Sequence, residues 1–283
     1  MTWRAVAATR RGASHVRRDL PNQDAHRTWT DGTATVVAVA DGHGAARHAR
    51  SDVGSRLAVD AAVAALRAYL TEVEPAGTAD VHHHLVTVVG PELVTRWREA
   101  VAEHADRHDG RQDAQQDAQQ DAQQDAAADG AVDVLAYGST VLALVATPSW
   151  VGALQLGDGE VVLVDRGGAA RRPMPLDPLL DGATTTSLCQ DDPLASLRYA
   201  VVPAAEVDLA LVCTDGFGVS RVDGPDWWRP VGEQLAHHAA TGGADHVAER
   251  LPGWLEEPAD VGGDDVTVGI VLRSPAQPDE RSA

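Results

Sequence analysis

Three apolar stretches of this chain end in an aspartate followed by glycine: TVVAVA before Asp41-Gly42, LQLG before Asp158-Gly159 and LALVCT before Asp215-Gly216. A fourth acidic pair, Asp264-Asp265, follows Gly262-Gly263 and immediately precedes the last apolar stretch. A carboxylate at the end of a buried strand stands at the rim of a sheet. The glycine after it lets the backbone turn and brings a carbonyl close to whatever the carboxylate binds. Taken singly, each Asp-Gly is an ordinary hairpin turn; several rims together make an all-oxygen site. Such a donor set suits hard cations, Mg²⁺ or Mn²⁺, in octahedral geometry with several waters retained. Zinc is not expected, because the rings of His82, His83 and His84 cannot face one point on a helix and no second cluster has ligand spacing.

Those rims need strands to carry them. Short apolar runs predict strands over residues 3–8, 25–29, 34–40, 139–146, 150–156, 160–164, 197–202, 207–213 and 266–272. The two-to-three-residue turns at Thr147-Pro148-Ser149 and Gly157-Asp158-Gly159 predict antiparallel hairpins. Helical spacing predicts helices over 45–70, over 92–103 after Pro91, and between 227 and 255. Strands and helices therefore come in blocks rather than in βαβ alternation, and the fold class expected is α+β. The seven Trp fall mostly in apolar patterns or after a proline and read as packing residues.

Between Val101 and Val132 no apolar side chain is larger than alanine, and residues 113–124 are three copies of Asp-Ala-Gln-Gln. Residues 103–133 carry nine acidic residues against two arginines. Such a segment cannot add to a core and is read as a disordered acidic insert, with a frayed helix extension or an acidic docking segment as the other readings. The whole chain of 283 residues is 44% apolar, enough for a sizeable core, with a formal charge of -19. That charge makes nucleic acid and anionic membranes poor partners. Two cysteines, Cys189 and Cys213, are too few for a disulfide framework, and neither a signal segment nor a membrane span is visible. A cytoplasmic monomer is the expectation.

Six short motifs, in order from residue 22 to residue 267, resemble the metal-dependent Ser/Thr protein phosphatases of the 2C type (the PPM family), in their bacterial branch. Asn22-Gln23-Asp24-Ala25 is similar to the family's Asn-Glu-Asp-Ala, and Asp41-Gly42-His43-Gly44 to its Asp-Gly-His-Gly. Gly138-Ser139-Thr140 resembles its Gly-Ser-Thr, and Gly157-Asp158 its Gly-Asp-Ser hairpin. Thr214-Asp215-Gly216 resembles its Ser-Asp-Gly, and Asp264-Asp265-Val266-Thr267 its Asp-Asn-x-Thr. The resemblance implies a four-layer α-β-β-α sandwich of two antiparallel sheets flanked by helices, with two Mg²⁺ or Mn²⁺ ions at one end. It implies that Asp41 bridges the ions, that the Gly42 carbonyl binds the second, and that Asp215 and Asp264 complete the first. Around them it sets Gln23, Asp24 (holding metal-bound water), Asp265 and His43. His43 is either a general acid for the leaving group or a hydrogen-bonding residue at a helix start; His15 and His26 are further candidates near the loop.

The chain departs from the family pattern at three points. Gln23 replaces a glutamate and removes one negative charge beside the site. The phosphate-binding arginine position is Asp19, so Arg18, with Arg17 behind it, takes the phosphate contact. The third-metal aspartate position is Leu135, with Asp133 the nearest carboxylate, so two ions are expected and a third is in doubt. The function implied is hydrolysis of phosphoserine and phosphothreonine in proteins by a water activated between two divalent cations, acting on a phosphoprotein partnered with a Ser/Thr kinase. The alternatives are a phosphatase of a small phosphorylated molecule and a pseudophosphatase binding module. The expected organisation is one catalytic domain over residues 1–275, with the acidic insert at about 104–132 and a flexible tail at 276–283.

Overall fold

The computed structural model describes residues 2–73, 77–116, 132–175, 177–180, 185–219 and 224–274. Its strands are β1 (Thr2–Arg10), β2 (Ala25–Thr30), β3 (Thr35–Ala40), β4 (Val141–Ala146), β5 (Trp150–Leu156), β6 (Glu160–Val164), β7 (Ala170–Arg171), β8 (Arg198–Pro203), β9 (Leu209–Cys213) and β10 (Val266–Ser274). Its helices are α1 (Ala13–Arg17), α2 (Ser51–Glu72), α3 (Thr78–His84), α4 (Gly90–Gln116), α5 (Asp215–Val219), α6 (Trp228–Trp254) and α7 (Glu256–Gly262).

The strands form two antiparallel five-stranded sheets, β1-β10-β9-β6-β7 and β2-β3-β4-β5-β8. All six residues of β3 are buried, which is possible only if both of its faces are covered. Side chains alternate across a strand: Val36, Ala38 and Ala40 join the core beneath α2 and α4, while Val37 and Val39 point into the core between the sheets. β9 divides likewise, with Leu209, Leu211 and Cys213 packed under α6 and α7 and Ala210 and Val212 turned inward. Three apolar layers thus separate four structural layers, α-β-β-α.

Four differences from the sequence expectations matter for the site. β5 and β6 do not form a hairpin: β5 pairs with β4 and β8, β6 with β7 and β9. Gly157-Asp158-Gly159 is the crossing from one sheet to the other, because both strands are buried on both faces and each needs partners on two sides. Helix α2 begins at Ser51, not at residue 45, and the six residues before it are irregular backbone of which Ala45, Arg47 and His48 line the cleft at the end of the sandwich. The helix expected from residue 92 belongs to a longer run from Thr78, in which the π-turn Leu85–Val89 comes just before Pro91; a proline cannot donate to the preceding turn, and a wide turn there accommodates it. Helix α4 continues past residue 103 to Gln116, so residues 104–116 extend the helix. Ala105 is buried, and His104 Nδ1 lies 2.8 Å from the Tyr137 hydroxyl. The first Asp-Ala-Gln-Gln copy closes α4, whereas residues 117–131 and the tail lie outside the described residues.

Candidate active site

Asp41 leaves the end of β3 and is held from two sides by β4's entry. Its N–H donates to Thr140 Oγ1 at 2.9 Å, and its carbonyl accepts from the Thr140 N–H at 2.9 Å and from Ser139 Oγ at 3.0 Å. Fixing the backbone of Asp41 this way is what the Gly-Ser-Thr motif does here. Gly42 follows in a space no side chain can enter: a Cβ would lie 2.5 Å from the Ser51 carbonyl oxygen and 2.7 Å from that of Gln23. The Gly42 N–H donates to the Gln23 carbonyl at 3.1 Å, tying this rim to the loop after α1.

Asp215 leaves β9 and opens α5, while Asp158 sits on the crossing between the sheets. Carboxylate oxygens of Asp41, Asp158 and Asp215 lie within 4.8 Å of one another, all three half-buried. Burial, followed by the repulsion of neighbouring carboxylates, pushes Asp41 well above the usual carboxylate range and Asp215 up to about 6. Asp158 Oδ1 is buried without a hydrogen-bond partner among the described residues. Three converging carboxylates with an unpartnered buried oxygen fit a divalent cation, which would remove the repulsion and use that oxygen.

Asp264 lines the same cleft, but outside that trio: it is largely exposed, with Oδ1 3.7 Å from His15 Nε2 and 2.9 Å from the Asp265 N–H that donates to it. Asp265 is buried and serves the N-terminal loop. Its oxygens accept from the Gly12 N–H at 2.7 Å and the Gln23 N–H at 2.6 Å, and His15 Nδ1 stands at 2.8 Å. Gln23 in turn donates from Nε2 to Ser51 Oγ at 2.8 Å and leaves its buried Oε1 without a partner among the described residues. Asp24 is buried behind the cluster; Oδ2 accepts from Thr214 Oγ1 at 2.8 Å, and burial, outweighing that bond, pushes its carboxyl up to about 8.

The carboxylates open into a cleft of about 730 Å³ that Arg18, Arg47 and His43 also line. Arg18 is exposed and its side chain has no hydrogen bond or ion pair among the described residues; Arg17, also exposed, is outside the cleft lining. Asp19 ends α1 with φ at +54°, a left-handed conformation that aspartate tolerates better than a long side chain, which accounts for the absence of arginine there. His43 is not at a helix start, since α2 begins eight residues later; its N–H donates to the Gly138 carbonyl at 3.1 Å, and burial, with His48 and Arg47 nearby, lowers its ring to about 4. His26 lies away from the cleft, in a groove with Trp29 and Arg67. Leu135 lines the cleft, while Asp133 turns its carboxylate to the Leu135 N–H at 3.1 Å. Asp158, one of the strand-end rims, stands in the carboxylate trio although the family resemblance does not place it among the ligands, and Arg47 lines the cleft without any signal in the sequence.

This two-sheet sandwich is the fold of solved phosphatases. It is shared with the catalytic domain of the serine/threonine protein phosphatase PstP in complex with two manganese ions (TM-score 0.53, 16% identity, covering 96% of this chain and 98% of that one). It is shared equally with the serine/threonine phosphatase Stp1 from Staphylococcus aureus (TM-score 0.58, 14% identity, 97% of this chain and 96% of that one). A family profile described as Protein phosphatase 2C matches residues 11–256, and the chain belongs to that family. Serine/threonine-protein phosphatase 3 of Escherichia coli K12 is 27% identical over 220 residues, 76% of this chain and 74% of that protein.

Proposed function

We propose that this chain removes phosphate from phosphoserine and phosphothreonine in proteins, with two divalent cations, Mg²⁺ or Mn²⁺, held by Asp41, Asp158 and Asp215. The Gly42 carbonyl and Asp264 supply the further oxygens. The observation that carries the reading is the trio of carboxylates within 4.8 Å at the floor of a cleft whose rim bears the unpaired Arg18. Family membership supports the reaction, and the manganese ions of PstP support the cation class.

When bound, the cations supply a water of lowered pKa for in-line attack on phosphorus and neutralise charge on the phosphoryl oxygens. The chain's own residues do the rest. Arg18 grips the phosphate through charge-assisted hydrogen bonds that orient it for that attack. Asp24, buried behind the trio and held by the Thr214 hydroxyl, backs the carboxylates and fixes the residue just before Asp215. His43 is neutral near pH 7 with a ring lowered to about 4, so it acts as a hydrogen-bonding wall of the cleft rather than as a cationic acid. The test is manganese- and magnesium-dependent hydrolysis of para-nitrophenyl phosphate, then of phosphothreonine and phosphoserine peptides. Peptide turnover at least as efficient as that of small phosphoesters supports the reading; turnover of small phosphorylated molecules alone contradicts it. A partner kinase and a cytoplasmic location belong to the same proposal; among the described residues no helix is long and apolar enough to cross a membrane.

A further inference from the structure

A second cavity, of about 240 Å³, opens beneath α6, away from the carboxylates. Its floor is Leu211 of β9, Val268 of β10 and Phe217 of α5. Val231 and Leu235 from the first leg of α6 and Leu251 from the second form its walls, and all six residues are buried. The two legs part at Gly243, whose φ of 69° and ψ of -165° interrupt the helix. Protein interiors are packed with few voids larger than a water molecule, and an apolar cavity of roughly 150 Å³ already holds benzene. This one is larger and reaches the surface.

Chemistry at the mouth is specific. The rings of His238 and Trp254 stand 4.7 Å apart, with Glu257 beside them. Burial, with the nearby His246 and His237, holds His238 below the ordinary histidine range. Glu257 is exposed and has no ion pair among the described residues. Among the described residues it is the one acidic side chain lining the cavity. The apolar floor, the Trp254 indole and the Glu257 carboxylate, with Gln234 and His238 as the other polar lining side chains, complement a molecule with an aromatic body and a cationic head.

We propose that this cavity binds a small arylalkylammonium compound, the aromatic body against Phe217 and Leu235 and the ammonium between Glu257 and the Trp254 ring. Helix α5 links the two sites, since it begins with Asp215 and presents Phe217 to the cavity two residues later.

Isothermal titration of the full chain with phenethylammonium, 2-phenylethanol and phenylacetate tests this, because the three probes share a body and differ in the head. Saturable 1:1 binding of phenethylammonium is expected, with phenylacetate roughly tenfold weaker or worse. Leu235→Trp fills the cavity and should abolish binding of all probes. Glu257→Gln, at the surface, should weaken phenethylammonium by roughly two- to fivefold and leave 2-phenylethanol unchanged. Absence of saturable phenethylammonium binding, equal binding of phenylacetate, or unchanged binding in Glu257→Gln would each overturn the site. If Leu235→Trp loses its native circular dichroism, the Glu257→Gln comparison decides alone. Binding is read as heat without substrate, so failure here leaves the hydrolysis proposal standing, and the reverse also holds.

Discussion

At the scale of single residues, the arginine in the cleft separates a phosphatase from a folded relic. Arg18→Ala should raise KM and lower kcat/KM by roughly ten- to a hundredfold, the size of a lost charge-assisted hydrogen bond, with manganese affinity unchanged. Steady-state kinetics on a phosphopeptide measures this, and an exchange of phenotypes with Arg17→Ala would show that the neighbour does the gripping. Most of the site was legible in the sequence, because Asp41, Asp158 and Asp215 each announce themselves as a carboxylate at the end of a buried strand. What could not be read was which of the rims converge. That Asp158 stands on a crossing could not be read, since a three-residue connection looks the same whether it folds two strands into a hairpin or carries the chain between sheets. Asp264, carried by the family pattern into the ligand set, stands 3.7 Å from His15 at the rim of the cleft, outside the trio.

Elements are fixed by hydrogen bonds that no pattern of hydrophobicity reveals. The loop running from Gly12 to Gln23, which includes α1 and Arg18, is pinned to the start of β10 by the buried Asp265 through the Gly12 and Gln23 N–H groups and His15. Asp265→Ala strands those buried donors and should lower stability by roughly 2–4 kcal/mol, measured by chemical denaturation, and should also raise KM because Arg18 loses its support. A loss of stability without any change in KM would separate the loop from substrate binding. The nine strands read from apolar runs match β1–β6 and β8–β10 to within two residues, most plainly β3, β4, β5 and β9, which are buried on both faces, whereas the two-residue β7 has no apolar run to show it. Helix limits were less readable: α2 starts at Ser51 although helical spacing extends upstream, because tertiary contacts to the Leu135–Gly138 segment hold those residues in the cleft wall. Deleting residues 109–129 should leave small-phosphoester turnover within roughly threefold, as loop length changes closure entropy slowly and the helix is already anchored by His104 and Ala105. Loss of the native circular dichroism in that deletion would show that the segment packs.

For the whole molecule, the cost of gathering acids at one end of a sandwich should appear as a dependence of stability on pH and cations. Asp24, pushed up to about 8, and Asp215, to about 6, keep protons in the metal-free fold that the unfolded chain releases near its ordinary value of 3.8. From about pH 4 upward the folded state therefore binds more protons than the unfolded one, so stability contributed below that pH is lost as pH rises through 6 and 8. A cation that replaces those protons should raise Tm little at pH 5 and much more at pH 8, seen by calorimetry with manganese and with EDTA; a shift that shrinks with pH contradicts the assignment. The central claim is that hydrolysis depends on the carboxylate trio. Its most direct test is phosphate release from a phosphothreonine peptide by the parent chain and by Asp215→Asn, titrated with Mn²⁺. The prediction is turnover that rises with Mn²⁺ and is abolished by EDTA in the parent, and no turnover in a variant whose circular dichroism stays native; hydrolysis independent of metal, or near-full activity of Asp215→Asn at saturating Mn²⁺, would contradict it.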